Sequence, residues 1–217
     1  MKIELKNYQD CVNCSYILYS SKESFPPINH CFYGGKIYGL YSDFGCGSWG
    51  VVTSLGGRTN QPNGEVYMND ECVDSCFLKN ISCYVSENVY DGINTTQDYL
   101  TPRKCIEKAL SISRLPYSVK EIKDMFDLSG EGIDCSENEG RFNRKLQFVG
   151  VEIWRISIAI GYALGKEIYC FPWLNEREIS MVDKSCLKIL KESQKIVLIP
   201  SNQIKWLKKN CDDLLMI

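Results

Sequence analysis

The residues best suited to chemistry lie in one short loop. Ser42-Asp43-Phe44-Gly45-Cys46-Gly47-Ser48-Trp49-Gly50 follows the alternating run Lys36 to Tyr41 and precedes the apolar run Val51 to Leu55, which stops at Gly56-Gly57. A glycine-bearing turn between a strand and a helix can aim several backbone N–H groups at one point and so cradle an anion. The pair Gly45-x-Gly47 could also open a dinucleotide-binding turn. Against that, the third glycine of Gly-x-Gly-x-x-Gly is missing, and no acidic residue follows a second strand at the required distance.

Other candidate chemistry is sparse. Cys11-x-x-Cys14 and Cys72-x-x-x-Cys76 have the look of two halves of a zinc site, with Cys83 and Cys105 as conceivable extra ligands. The second spacing is loose, and a chain of 217 residues can bury a core without a metal, so no metal site is expected. A redox role for Cys11-x-x-Cys14 lacks its context, since the pair does not open a helix after a strand. His30 is the one histidine of the chain, which argues against histidine-centred catalysis. The 25 basic residues nearly balance the 27 acidic ones, leaving no field to draw in nucleic acid. No apolar run reaches the roughly 18 to 20 residues that span a bilayer, and the first ten residues carry no apolar leader, so a cytoplasmic location is expected, peripheral to the membrane if a partner tethers the chain there. The twelve cysteines then read as reduced thiols.

The elements that must position the loop follow from periodicity. Strands are expected at Lys2 to Lys6, Cys14 to Tyr19, Lys36 to Tyr41, within residues 59 to 70, at Ile81 to Val85, Glu167 to Phe171 and Lys195 to Ile199. Helices are expected after Pro102, after the capping box Ser118-Val119-Lys120-Glu121, from Val151 to Leu164 and from about Val182 to Lys191. An amphipathic tail helix is expected to carry Ile204, Trp206, Leu207, Leu214 and Leu215. Strands alternating with helices imply a single α/β domain over 1–217 with a mostly parallel central sheet. Trp49, Trp154 and Trp173 are expected to pack against the fold.

In this order the chain resembles the nucleotide-binding subunit of ATP-binding cassette (ABC) transporters. Gly35-Lys36-Ile37-Tyr38-Gly39-Leu40 is similar to the strand that leads into that family's phosphate loop, and Ser42 to Gly50 falls where Gly-x-x-Gly-x-Gly-Lys-Ser-Thr would stand. Gly57-Arg58 and Asn63-Gly64-Glu65-Val66 resemble the segments that follow it. Cys83-Tyr84-Val85-Ser86-Glu87 resembles the Q-loop stretch, with Glu87 at the glutamine, and Phe148 to Ala159 resembles the signature and its helix, with Val149, Gly150, Val151 and Glu152 in the motif. An ungapped count places Pro172 and Trp173 at the Walker B Asp-Glu, and Ser201 near the switch histidine.

The resemblance thus implies the fold of a phosphate-loop ATPase, with an antiparallel N-terminal β part and a helical subdomain at about 96–155, but without its working residues. Such a site needs a lysine against the β/γ-phosphates, a hydroxyl and an aspartate on magnesium, and a carboxylate for the attacking water. The chain offers Ser48, Trp49, Pro172 and Trp173 at those places, with Asp43 adding a negative charge to the loop. Weak or absent ATP binding, no need for magnesium and no hydrolysis are the expectations. The resemblance further implies a partner: a membrane permease, an active ABC ATPase, or both, in a homodimer or heterodimer. The alternative is a free-standing regulatory or binding protein that keeps the scaffold and has given up nucleotide.

Overall fold

The computed structural model describes residues 1–9, 27–58, 63–85, 100–129, 140–146 and 152–217. The chain divides into two compact units, Met1–Tyr84 with Glu167–Ile217, and Val85–Lys166. In chain order the first part of unit one forms β1 (Lys2–Gln9), β2 (Ile28–Tyr33), β3 (Lys36–Tyr41), α1 (Ser48–Leu55), β4 (Asn63–Met68), β5 (Glu71–Cys72), α2 (Ser75–Ile81) and β6 (Ser82–Tyr84). Unit two supplies α3 (Pro102–Ser113), α4 (Val119–Met125) and α5 (Ile153–Ala163). Unit one resumes with β7 (Ile168–Cys170), α6 (Glu176–Ser180), α7 (Lys184–Glu192), β8 (Ile196–Ser201), α8 (Ile204–Asn210) and β9 (Asp213–Met216).

Unit one holds two sheets. The antiparallel sheet has the order β2-β1-β4-β5. Its central strand β1 alternates as the sequence predicts: Ile3 and Leu5 are buried, while Lys2 on the other face reaches the carboxylates of Glu4 and Asp70, each at 2.8 Å. The second sheet is wholly parallel, in the order β6-β7-β8-β3-β9. A parallel strand covered on both faces must be apolar throughout, and every residue of β8, Ile196 to Ser201, is buried. Side chains of both sheets and of α1 share one core, in which Ile3, Leu5, Tyr38, Leu40, Val51 and Leu198 are buried together.

Local chemistry sets the helix ends in unit two. Thr101 caps α3 through the Lys104 N–H at 3.3 Å, with Pro102 in the first turn. Ser118 and Glu121 close the predicted capping box on α4. In the interior of this unit Phe126 meets the Tyr162 ring of α5 edge-on at 5.3 Å.

Three expectations need correction. Leu214 and Leu215 do not continue a tail helix: α8 ends at Asn210, and both residues lie in β9, paired with Gly39 and Leu40 of β3. The absence of a side chain at Gly39 admits this packing, since a Cβ there would stand 3.0 Å from a Leu214 methyl and 3.1 Å from Leu207 Cβ. The strand read from Ile81 to Val85 is shorter, β6 at Ser82–Tyr84, because Ile81 is the last residue of α2, which Asp74 starts by accepting the Phe77 N–H at 2.7 Å. The helix read from about Val182 to Lys191 is α7, started at Lys184 by the Asp183 cap, with a separate short α6 before it. The strand expected at Cys14 to Tyr19 lies outside the described residues.

Candidate functional site

The glycine loop stands where the sequence places it, between the carboxyl end of β3 and the first turn of α1. This is the edge of a parallel sheet at which open α/β folds hold their ligands. Gly45 and Gly47 take φ values of +84° and +109°, which only glycine adopts without strain, and Cys46 N–H donates to Asp43 O at 3.1 Å to close the turn. The side chains of Ser42 and Ser48, however, turn toward one another. Ser48, at the lysine position, is fully buried, and its hydroxyl is hydrogen-bonded to that of Ser42 at 2.5 Å.

Trp49, at the position that the resemblance gives to the magnesium hydroxyl, turns toward β6. Its indole N–H donates to the phenol oxygen of Tyr84 at 3.1 Å, and its carbonyl accepts from the Thr53 hydroxyl at 2.6 Å. Burial raises the Tyr84 phenol above its ordinary range, opposed by the Trp49 hydrogen bond and by the Arg58 guanidinium, which lies 4.3 Å from the ring centre. Sequence reasoning left out this partner of Trp49, for periodicity carries no signal of which strand end a helix side chain will meet.

The segment after β7 also lies beside the loop. Parallel pairing sets Cys170 level with Leu198 and Leu198 level with Tyr38, and the bridge of Leu174 to Ser201 brings the segment after β7 level with Tyr41 at the end of β3. Beyond β7, Pro172 and Trp173 are half-buried, and the Trp173 indole N–H reaches the Ser42 carbonyl at 3.4 Å. Its ring meets the ring of Phe44, which is 60% exposed at the loop's outer surface, at 5.2 Å in an edge contact. Ser201 ends β8 fully buried: its hydroxyl donates to Leu174 O at 2.6 Å, and its carbonyl accepts the Ser42 N–H at 3.4 Å.

Five of the predicted positions, Ser42, Ser48, Trp49, Trp173 and Ser201, therefore border one strand-end edge, and hydrogen bonds link Ser42 directly to Ser48, Trp173 and Ser201. Glu152 precedes α5 in helical backbone conformation without capping that helix. Glu87, Val149, Gly150 and Val151 lie outside the described residues, as do Cys11 and Cys14.

No protein-family model and no curated protein matches the sequence. The fold does find matches among solved structures. A putative ABC transporter ATP-binding protein from Pyrococcus furiosus superposes with a TM-score of 0.66 at 18% identity, over 100% of this chain and 97% of that one. The chain has the fold of an ABC transporter's ATP-binding cassette. A bacterial ABC transporter cassette solved as a dimer gives a TM-score of 0.65 at 18% identity over 99% and 94% of the two chains. An ATP-binding subunit of an ABC transporter gives 0.64 at 13% over 100% and 86%. The α/β architecture expected from the sequence, a parallel sheet with an antiparallel β part and a helical portion, is thus that of a cassette.

Proposed function

We propose that this chain is a cassette-like subunit that does not hydrolyse ATP and serves as a structural or regulatory component of an ABC transporter complex, beside a permease, an active ATPase, or both. The observation that carries the reading is the composition of the strand-end edge. Ser48, Trp49, Pro172, Trp173 and Ser201 border it and present, among them, no lysine, no carboxylate and no imidazole. Phosphoryl transfer depends on positioning and on charge compensation, and a polyphosphate set against these side chains would meet backbone N–H groups alone, with Asp43 nearby. Magnesium-ATP does not suit these residues.

Similarity to a cassette solved as a dimer supports pairing, with a second copy or with an intact cassette. The test combines two measurements. Turnover of magnesium-ATP by the purified chain, against a mock preparation, is expected to be nil, and calorimetry is expected to give no submillimolar ATP affinity. Capture from native membranes is expected to bring down a permease and an intact ATPase. Magnesium-dependent turnover above the mock level would overturn the reading, and a chain that travels alone would favour the free-standing alternative.

A further inference from the structure

A loop built to aim backbone N–H groups at an anion concentrates positive potential at its centre, and without an anion something else must hold that geometry. In this chain four internal contacts are available to do so. The hydroxyls of Ser42 and Ser48, both buried, bridge the first residue of the loop to the first residue of α1 at 2.5 Å. The Ser42 peptide is fixed on both sides, its N–H on Ser201 O at 3.4 Å and its carbonyl under the Trp173 indole N–H at 3.4 Å. The loop's outer surface is held by the edge contact of Phe44 with Trp173 at 5.2 Å.

Three of these contacts come from the two positions, Ser48 and Trp173, where a working cassette, by the resemblance, would carry its lysine and its general base. We infer that Ser48 and Trp173 form an internal clasp that keeps the glycine loop closed in the absence of any anion. The substituted residues have taken over the mechanical work of the ligand. The loop is then a permanent strut between β3, β7 and α1, and its state does not respond to nucleotide. This deepens the proposed non-catalytic reading and rests on it.

Amide hydrogen exchange on the full chain tests the clasp, read on peptides covering residues 42–48 and, as a control for the fold, on peptides of β3 and β8. The unliganded protein is expected to protect the Ser42 and Cys46 amides well above the unstructured-chain rate. Trp173→Phe, which keeps a ring and removes the N–H, and Ser48→Ala are each expected to speed loop exchange by about fivefold to tenfold, the worth of one hydrogen bond. The control peptides are expected to stay unchanged. Millimolar inorganic phosphate or magnesium-ATP is expected to leave the exchange of the unaltered protein as it was.

Loop exchange at the unstructured rate in the unaltered protein would overturn the clasp, as would loop exchange unmoved by both substitutions. Protection gained on adding phosphate would overturn it too. Each of these outcomes differs from the ATP turnover or tight ATP binding that would defeat the functional reading itself.

Discussion

The indole N–H of Trp173 lies 3.4 Å from the carbonyl oxygen of Ser42, across 131 residues of sequence. That contact ties the segment after β7 to the loop after β3. It also means that the side chain at the general-base position is committed to holding backbone.

Rearming the site by substitution should fail. The combined variant Ser48→Lys, Trp49→Ser, Pro172→Asp, Trp173→Glu removes the hydroxyl pair, the Trp49 to Tyr84 bond and the ring contact with Phe44. Both tryptophans are half-buried, so each loss costs less than the roughly 3 to 5 kcal/mol of a fully buried one. The Tyr84 phenol is left without its indole donor, at about 1 kcal/mol or more. The expected outcome is a lower melting temperature and turnover far below the roughly 1 per second of ordinary enzymes, because no surrounding shell holds the new groups. A stable variant that hydrolyses ATP efficiently would show the site to be merely unarmed.

Gly57 should be the most sensitive position near α1. It sits at φ +66°, and a Cβ would come within 2.4 Å of the Lys79 backbone nitrogen on α2. Gly57→Ala combines left-handed strain with overpacking against backbone that cannot yield, about 3 kcal/mol together. Denaturant unfolding is expected to show the midpoint shift with an unchanged slope. Gly45→Ala, where the space around a Cβ is open, should cost only the backbone strain of φ +84°.

Acid should weaken the fold through His30. Its Nε2 is buried with no hydrogen-bond partner among the described residues, and its ring lies 4.7 Å from Phe32 and 6.0 Å from Tyr38. Burial lowers its pKa below the ordinary 6.5, against the opposing charge of Asp213. The unfolded chain therefore binds the proton more readily than the folded one. Stability from this group is full above pH 6.5 and is lost as pH falls through 6.5 toward the depressed folded value. Thermal melts at pH of about 7.5 and about 5.5 should show a drop that His30→Phe reduces. An equal drop in the variant would assign the acid sensitivity to other groups.

The thiols should separate by location. Cys46, Cys72 and Cys76 are exposed, whereas Cys105, Cys170 and Cys186 are buried. Burial pushes the Cys105 thiol up to about 11 and raises Cys170 further still. Brief alkylation of the native protein, followed by peptide mapping, is expected to label the first three and to reach the buried three only after unfolding. Rapid native labelling of Cys170 would mean that β7 opens locally.

What the sequence by itself determined is what short-range physics can encode. The run from Lys36 through Gly47 to Leu55 reads as strand, glycine loop and helix because strand periodicity, two glycines and an apolar stretch follow in order, and the loop stands there. Ser118 and Glu121 announce the start of α4 for the same local reason. The residue types Ser48, Trp49, Pro172 and Trp173 carry the expectation of a site without lysine or carboxylate.

Only the tertiary structure decided the rest. Leu214 and Leu215 have a spacing that suits an amphipathic helix, but pairing with β3 makes them a strand, since the hydrogen bonds and packing of a sheet edge outweigh a weak local preference. That Ser48 would spend its hydroxyl on Ser42, that Trp49 would turn to Tyr84, and that Trp173 would close on Ser42 are consequences of strand order. Placing β8 between β7 and β3 brings the three strand ends to one edge, and no pattern within a window of residues specifies which strands become neighbours.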